Sequence, residues 1–186
     1  QMELFELALS ELGEVVADIS ETEMDRETNC GPWTVRRLAS HALNNQLLWG
    51  GVVTGQDLVS IEVTMGAEPY AGDLVAFAAD TAQRALGMWR RAGVLDAIHT
   101  TPFGDLPGSV VIGFPTIDAL AHAWDLSVSV GRPIEFAVEA MPAISTLVEA
   151  VCTDDVRALG LIASPTEPPA DATDTEVLMA LAGREV

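Results

Sequence analysis

The stretch Ile117-Asp118-Ala119-Leu120-Ala121-His122-Ala123-Trp124-Asp125-Leu126-Ser127-Val128-Ser129-Val130 decides how the chain is read. On a helical wheel of about 100° per residue, Ile117, Leu120, Ala121, Trp124 and Val128 cluster on one side. Ala119, Ala123, Leu126 and Val130 fill the other. A helix apolar nearly all round is one buried among others. The exception is a single polar stripe of Asp118, His122, Asp125 and Ser129. Side chains at i and i+4 lie about 5–6 Å apart at Cβ, so the Asp118 carboxylate and the His122 imidazole can reach one cation. Asp125, one turn further along, suits a fourth ligand or an acceptor that orients an imidazole. The same stripe also reads as the solvent face of an otherwise buried helix. Against that, it contains no Glu or Arg, the usual surface residues of helices, and it uses one of the chain's three histidines.

Working back toward the N-terminus, Thr34 is placed to cap a helix whose apolar stripe is Val35, Leu38, Ala39, Ala42, Leu43 and Leu47. His41 flanks that stripe, beside Leu38 and Asn45; a lone histidine there is ordinarily a core or boundary residue. Asn44, Asn45 and Gln46 follow at once, an amide cluster suited to lining a wet cavity that binds a polar ligand. The third histidine, His99, falls in a loop-rich connection and receives no role. Two further helices are predicted, over Met2–Glu23 and about Asp73–Arg91. Residues 54–70 read as a loop with a short extended piece at Leu58–Val63, and residues 93–115 as a long connection with a short strand at Val110–Ile112. The central stretch gives a helix over about Thr116–Val130, stopped by Gly131-Arg132-Pro133. A further helical stretch covers Glu135–Cys152, where Pro142 must begin a new helix or kink the old one, and a last short helix lies near Thr173–Leu181. Four main helices imply an all-α fold, a four-helix bundle with crossover connections. Residues 1–132 form the bundle, and residues 133–186 form a small C-terminal helical extension packed on it within one compact domain.

The chain has 186 residues, 28 Asp+Glu against 9 basic residues, every one an arginine, and a formal charge of −19. A surface this negative repels phosphate backbones and anionic lipid, which excludes nucleic-acid and membrane-surface partners. With 49% hydrophobic residues the chain is too apolar for acidic disorder. No apolar run approaches the ~20 residues of a membrane span, and Gln1–Glu11 has three glutamates and no basic segment, unlike a signal peptide. Cys30 and Cys152 fit no metal-ribbon or paired-cysteine spacing, so a reduced, cytoplasmic protein is expected.

Four segments carry a resemblance that spans nearly the whole chain in consistent order. Cys30-Gly31-Pro32-Trp33-Thr34-Val35-Arg36-Arg37-Leu38-Ala39-Ser40-His41 resembles the Cys-x-x-Trp-Thr-Val-Arg-Asp-Leu-x-x-His segment of the DinB/YfiT-like superfamily. Thr101-Pro102-Phe103-Gly104-Asp105-Leu106-Pro107-Gly108 is similar to the Pro-Phe-Gly-x-Leu-Pro-Gly loop of its actinobacterial branch, typified by the mycothiol-dependent maleylpyruvate isomerase metal-binding domain. Asp118–Leu126 resembles that branch's Asp-x-x-x-His-x-Trp-Asp-Leu helix, and Ala182-Gly183-Arg184-Glu185 its C-terminal Leu-Gly-Arg-Asp. Two departures stand out. Arg37 occupies a position that is acidic in many relatives, and Ala42-Leu43-Asn44-Asn45-Gln46 replaces the usual glycine-rich run after the histidine, which points to a reshaped pocket.

The resemblance implies a divalent metal near one end of the bundle, with His41, Asp118 and His122 as ligands. In the isomerase itself a glutamate stands where Asp118 does; the shorter side chain would draw the metal toward its own helix. Two histidines and a carboxylate leave coordination positions open, the mark of a catalytic metal, with zinc the first expectation and nickel or iron(II) compatible. The function implied is a metal-dependent enzyme using a low-molecular-weight thiol, mycothiol or similar, for S-transfer or isomerisation of a small electrophile. Asp125 would orient a ligand, and Asn44, Asn45 and Arg36 would contact substrate. Cys30, just before a helix start, reads as a packing residue, with a redox thiol as the alternative. The alternative is a metal- or small-ligand-binding bundle without turnover, with a stress or regulatory role. An iron(II) oxygenase would share the ligand count but not the fold. A homodimer is expected by analogy with related bundles.

Overall fold

The four long helices expected from the sequence carry most of the buried apolar surface in the structure, a computed structural model that describes residues 1–65 and 68–186. Among the described residues the fold is all-α apart from one small hairpin. The chain divides into two compact units, Gln1–Arg132 and Pro133–Val186.

In the first unit, α1 (Met2–Asp18) buries Phe5, Ala8, Leu9, Leu12, Val15 and Val16 along one stripe. It stops short of the predicted Glu23: Ile19 turns extended, and Glu21–Glu23 form a separate turn of 3₁₀ helix under a Ser20/Glu23 capping box. Helix α2 (Val35–Thr54) starts at Thr34, whose side chain accepts from the Arg37 amide, and ends at Gly55 in the left-handed conformation (φ 66°). Residues 61–65 form a short helix, α3 (Ile61–Met65), where the sequence suggested an extended piece. The amides of Val63 and Thr64 both return to the Ser60 carbonyl, a local bond pattern that overrides β propensity. Residues 66 and 67 of the expected loop lie outside the described residues. Helix α4 (Leu74–Trp89) is capped by Asp73, which accepts from the amides of Val75 and Ala76.

The connection after α4 contains an antiparallel hairpin, β1 (Ile98–Thr101) and β2 (Gly104–Pro107), turned at Pro102-Phe103. The strand expected at Val110–Ile112 is instead helical. Helix α5 (Gly108–Val111) leads almost directly into α6 (Gly113–Ser129). Val111 and Ile112 are buried, and their packing outweighs the strand preference of β-branched residues. The break between α5 and α6 follows from Pro115, which lacks an N–H and whose ring clashes with the carbonyl four residues back, that of Val111.

Helices α1 and α2 each pack on both α4 and α6. Consecutive helices α1 and α2 are therefore diagonal partners, as are α4 and α6, so two connections cross the end of the bundle. Phe5, Leu9, Trp49, Val53, Ala85, Trp89, Val94, Val111 and Ile112 form one core cluster. Trp49 stacks on Phe114 (5.0 Å) and Phe103 (6.0 Å), tying the hairpin to α2. The Met88 side chain of α4 lies over Gly50, its methyl and sulfur occupying the space where a Cβ would stand. At the opposite end Arg132 binds Asp18 (Nε–Oδ2 2.7 Å) and Glu23 (Nη1–Oε1 2.9 Å), clamping the segment after α6 to the end of α1.

The second unit holds α7 (Met141–Val151), α8 (Asp154–Ala158) and α9 (Asp174–Leu181). Pro142 begins α7 rather than kinking a longer helix, as its fixed φ and absent N–H favour. Helix α7 packs on α9, a Thr173/Glu176 capping box opens α9, and the Phe136 amide donates to Thr175 Oγ1 (3.0 Å).

Candidate metal centre

Helix α6 brings Asp118 and His122 to one face, and its packing against α2 sets His41 opposite them. Both histidines are buried and Asp118 is half-buried. His41 Nε2 and His122 Nε2 each lie 3.5 Å from the same oxygen, Asp118 Oδ1. Charge-assisted N–H···O bonds close to about 2.7–2.9 Å, so these separations are long for hydrogen bonds. A tetrahedral cation with N and O ligands at about 2.0–2.1 Å holds its ligand atoms about 3.3 Å apart. The three atoms thus fit a shared ion better than they fit one another.

The remaining ring nitrogens are committed elsewhere. His41 Nδ1 lies 2.7 Å from the carbonyl oxygen of Thr64, at the buried turn of α3. A carbonyl only accepts, so Nδ1 carries the proton and Nε2 is left as a donor of electrons to a cation. His122 Nδ1 donates to Asp125 Oδ2 at 2.9 Å, with the same result. Asp125 is fully buried, and its Oδ1 accepts from Asn29 Nδ2 (2.9 Å) and its Oδ2 from the Cys30 thiol (3.3 Å). It faces the side of the ring away from Asp118 and sits at hydrogen-bond distance, the arrangement of an orienting acceptor rather than of a fourth ligand on the same ion.

The electrostatics match. Burial pushes the Asp118 carboxyl up, but the His122 and His41 rings beside it win and hold it below the usual carboxylate range. Burial pushes His122 down, but the negative charge of Asp118, then Asp125 and Cys30, raise it well above the ordinary histidine range. These neighbours favour the protonated ring, so a cation binding at His122 Nε2 competes with a proton there.

The other residues singled out in the sequence fare differently. Arg36 is engaged by Glu21 and by the carbonyls of Tyr70 (3.2 Å) and Gly72 (3.5 Å), where it fastens the segment before α4 rather than facing the three ligands. Asn44 and Asn45 are half-buried and make no hydrogen bond to the cluster among the described residues; Asn45 lies one turn from His41 on α2. The amide that does reach the cluster is Gln46, fully buried, with Nε2 3.5 Å from Asp118 Oδ2. Cys30, read from the sequence as packing, points its sulfur at Asp125 instead, and Asn29 joins it there. The sequence signal was the Asn29-Cys30-Gly31-Pro32 turn ahead of α2, whose Gly31 takes φ 66°. Trp33 covers His41 (centroids 4.7 Å apart), and Arg37 lies over the Trp33 ring at 5.3 Å. Trp49 and Trp89 belong to the core cluster. A separate open groove of about 320 Å³, lined by Gln56, Leu58, Arg84, Gly87, Met88 and Arg91, shares no residue with this centre.

The diagonal-crossover bundle is a fold shared with solved structures, among them one described as DinB-like. The crystal structure of the mycothiol-dependent maleylpyruvate isomerase superposes with a TM-score of 0.62 at 17% identity, covering 79% of this chain and 67% of that one. A DinB-like protein of Bacillus subtilis gives 0.56 at 15% identity, covering 69% and 88%. At these identities the likeness concerns the fold. Residues 5–127 match the family model of the mycothiol maleylpyruvate isomerase N-terminal domain, and the chain belongs to that family. It is also 31% identical over 140 residues to uncharacterised proteins of two Mycobacterium tuberculosis strains, CDC 1551 and H37Rv, covering 72% of this chain and 71% of each relative.

Proposed function

We propose that the protein is a divalent-metal-dependent enzyme that uses a low-molecular-weight thiol, mycothiol in the first instance, in S-transfer to or isomerisation of a small electrophile. The observation that supports this most strongly is the convergence of His41 Nε2 and His122 Nε2 on Asp118 Oδ1 at 3.5 Å each, in a chain of the isomerase's family. His41, Asp118 and His122 would hold the ion, zinc being the first candidate for this donor set. When bound, it supplies Lewis acidity that lowers the pKa of a thiol and favours the nucleophilic thiolate.

The chain's own residues do the rest. The Thr64 carbonyl and Asp125 keep both Nδ1 atoms protonated, so neither imidazole can turn its N–H toward the ion. Asn29 and Cys30 hold Asp125 in turn. Trp33 closes one side of His41 against water.

Metal analysis of protein purified without added metal tests the centre, and incubation with mycothiol and monochlorobimane or maleylpyruvate tests the activity. The expected result is near-stoichiometric zinc or nickel that is lost in His122→Ala, together with metal-dependent conjugate or isomer formation. Wild-type protein that neither carries nor binds such a metal overturns the reading. Metal binding with product at the uncatalysed rate leaves a binding bundle instead.

A further inference from the structure

We infer that the groove between the end of α2 and one face of α4 is a second binding site, for a small organic carboxylate. It shares no residue with His41, Asp118 and His122, so the inference stands apart from the metal-centre reading. Both walls are fastened in place. Gln56 and Leu58 follow α2, and the Gln56 amide donates to the Gly51 carbonyl (2.9 Å), folding this segment back on its own helix. Arg84, Gly87 and Met88 line the facing wall on α4, and Arg91, just past the helix end, continues it. The Arg91 amide donates to the Met88 carbonyl (3.3 Å), and the buried Met88 sulfur lies 3.9 Å from Thr54 Oγ1 of α2. The volume of about 320 Å³ stands at the low end of small-molecule sites.

Two observations point to an anionic guest with an apolar body. The first is charge. In a chain of net charge −19, guanidiniums readily find acids, as Arg90 finds Glu6 (2.8 Å). Arg91 makes no side-chain hydrogen bond or ion pair among the described residues, and Arg84 meets only Asp80, at 3.4 Å between two exposed side chains. Asp57 lies between Gln56 and Leu58 in sequence but does not line the groove. The C-terminal carbonyls of α2 and α4 nearby would by themselves repel an anion, so the two guanidiniums carry the attraction. Their planar forks match a carboxylate, and the Gln56 amide adds donors from the other wall. Leu58 and Met88 supply an apolar surface that a bare inorganic anion would leave unused.

The second observation is Gly87. Glycine weakens a helix interior. Gly87 has no positive φ, and nothing lies within 4 Å of its would-be Cβ, so neither backbone conformation nor packing calls for it. A guest lying between Arg84 and Arg91 does, because bare backbone at that point leaves it room.

Hexanoate is the probe, with hexylamine and inorganic phosphate as controls, each titrated calorimetrically into the full chain with and without a metal chelator. Wild type is expected to bind hexanoate with submillimolar affinity, chelator or not, and to bind both controls far more weakly. Arg91→Gln is expected to weaken hexanoate about ten- to hundredfold, as loss of a charge-assisted hydrogen bond does. Arg84→Gln is the second charge variant should Arg91→Gln fail to fold, with the same expectation. Gly87→Leu, which fills the gap with a good helix former, is expected to abolish binding while the melting temperature holds or rises. Wild type that does not bind hexanoate, or binds phosphate as well, overturns the inference. So does binding that the chelator removes, which would put the carboxylate on a metal ion instead. Folded arginine and Gly87→Leu variants that bind as wild type does overturn it equally.

Discussion

The imidazoles of His41 and His122 meet edge to face, with ring centroids 5.0 Å apart and planes inclined at 81°. Because each ring spends its Nδ1 proton on another acceptor, two Nε2 lone pairs and a carboxylate oxygen converge on one small volume. Such a convergence is repulsive unless a positive charge lies within it. In the metal-free protein the neighbours of His122 favour its protonated form, which would meet that need with a proton.

It follows that zinc uptake at neutral pH releases a proton from His122. Affinity is expected to rise with pH until His122 is already deprotonated in the free protein, and then to level off. Calorimetry in buffers of different ionisation enthalpy measures the release directly. A binding heat independent of buffer would show that His122 is neutral beforehand.

Asp125→Asn leaves the three ligands in place but removes the charge that orients His122. Zinc affinity is expected to fall about 10- to 100-fold, as is typical when an outer partner of a ligating histidine is lost. Competition with a chromophoric chelator gives the number; unchanged affinity would contradict an orienting role for Asp125.

The Arg132 clamp makes a prediction in acid. The Arg132 hydrogen bond, then those of the Ser20 amide and hydroxyl, lower the Glu23 carboxyl from 4.5 to about 2 against the opposing effect of burial. A folded-state pKa below the unfolded one contributes stability above the unfolded value and loses it as pH falls through the folded value. The melting-temperature gap between wild type and Arg132→Ala is therefore expected to be full near neutral pH and to shrink from about 4.5 down to about 2. A gap that stays constant over that range would show that the clamp does not depend on the Glu23 charge.

Two glycines are expected to respond in opposite directions. A Cβ on buried Gly108 would sit 2.0 Å from the Val94 carbonyl oxygen and 2.9 Å from Leu95 Cα, backbone atoms that cannot step aside. Gly108→Ala is expected to cost about 3 kcal/mol, the upper end of ordinary overpacking. Gly87, inside α4 with nothing within 4 Å of its would-be Cβ, has no such constraint. Gly87→Ala is expected to add about 0.5–1 kcal/mol through helix propensity. Urea unfolding of both variants checks the contrast.

The helices were legible in the sequence because their signals are local. The stripe on α1 and the Thr34 start of α2 each lie within a turn or two of what they specify. Segments set by distant packing were not: Val110–Ile112 looks like strand until the core takes it as helix, and the hairpin before it carries little apolar alternation. The centre divides the same way. Asp118 and His122 share a helix and declare themselves by spacing, and His41 entered through the family resemblance. The partners of Asp125 and Asp118 did not follow from the sequence. Asn29 and Cys30 are about a hundred residues from Asp125 along the chain, and which of three successive amides faces Asp118 depends on how α2 rotates against α6.

The diagonal arrangement of α1 with α2, and of α4 with α6, also sets an order of events during biosynthesis. His41 leaves the ribosome long before Asp118 and His122, and α4 and the hairpin must follow before α6 can settle against α2. Nascent chain shorter than the first unit presents a lone imidazole with little hold on a cation. An ion held by His41, Asp118 and His122 would therefore be taken up only after α6 has settled against α2, so that the finished cage and not the nascent chain would select it.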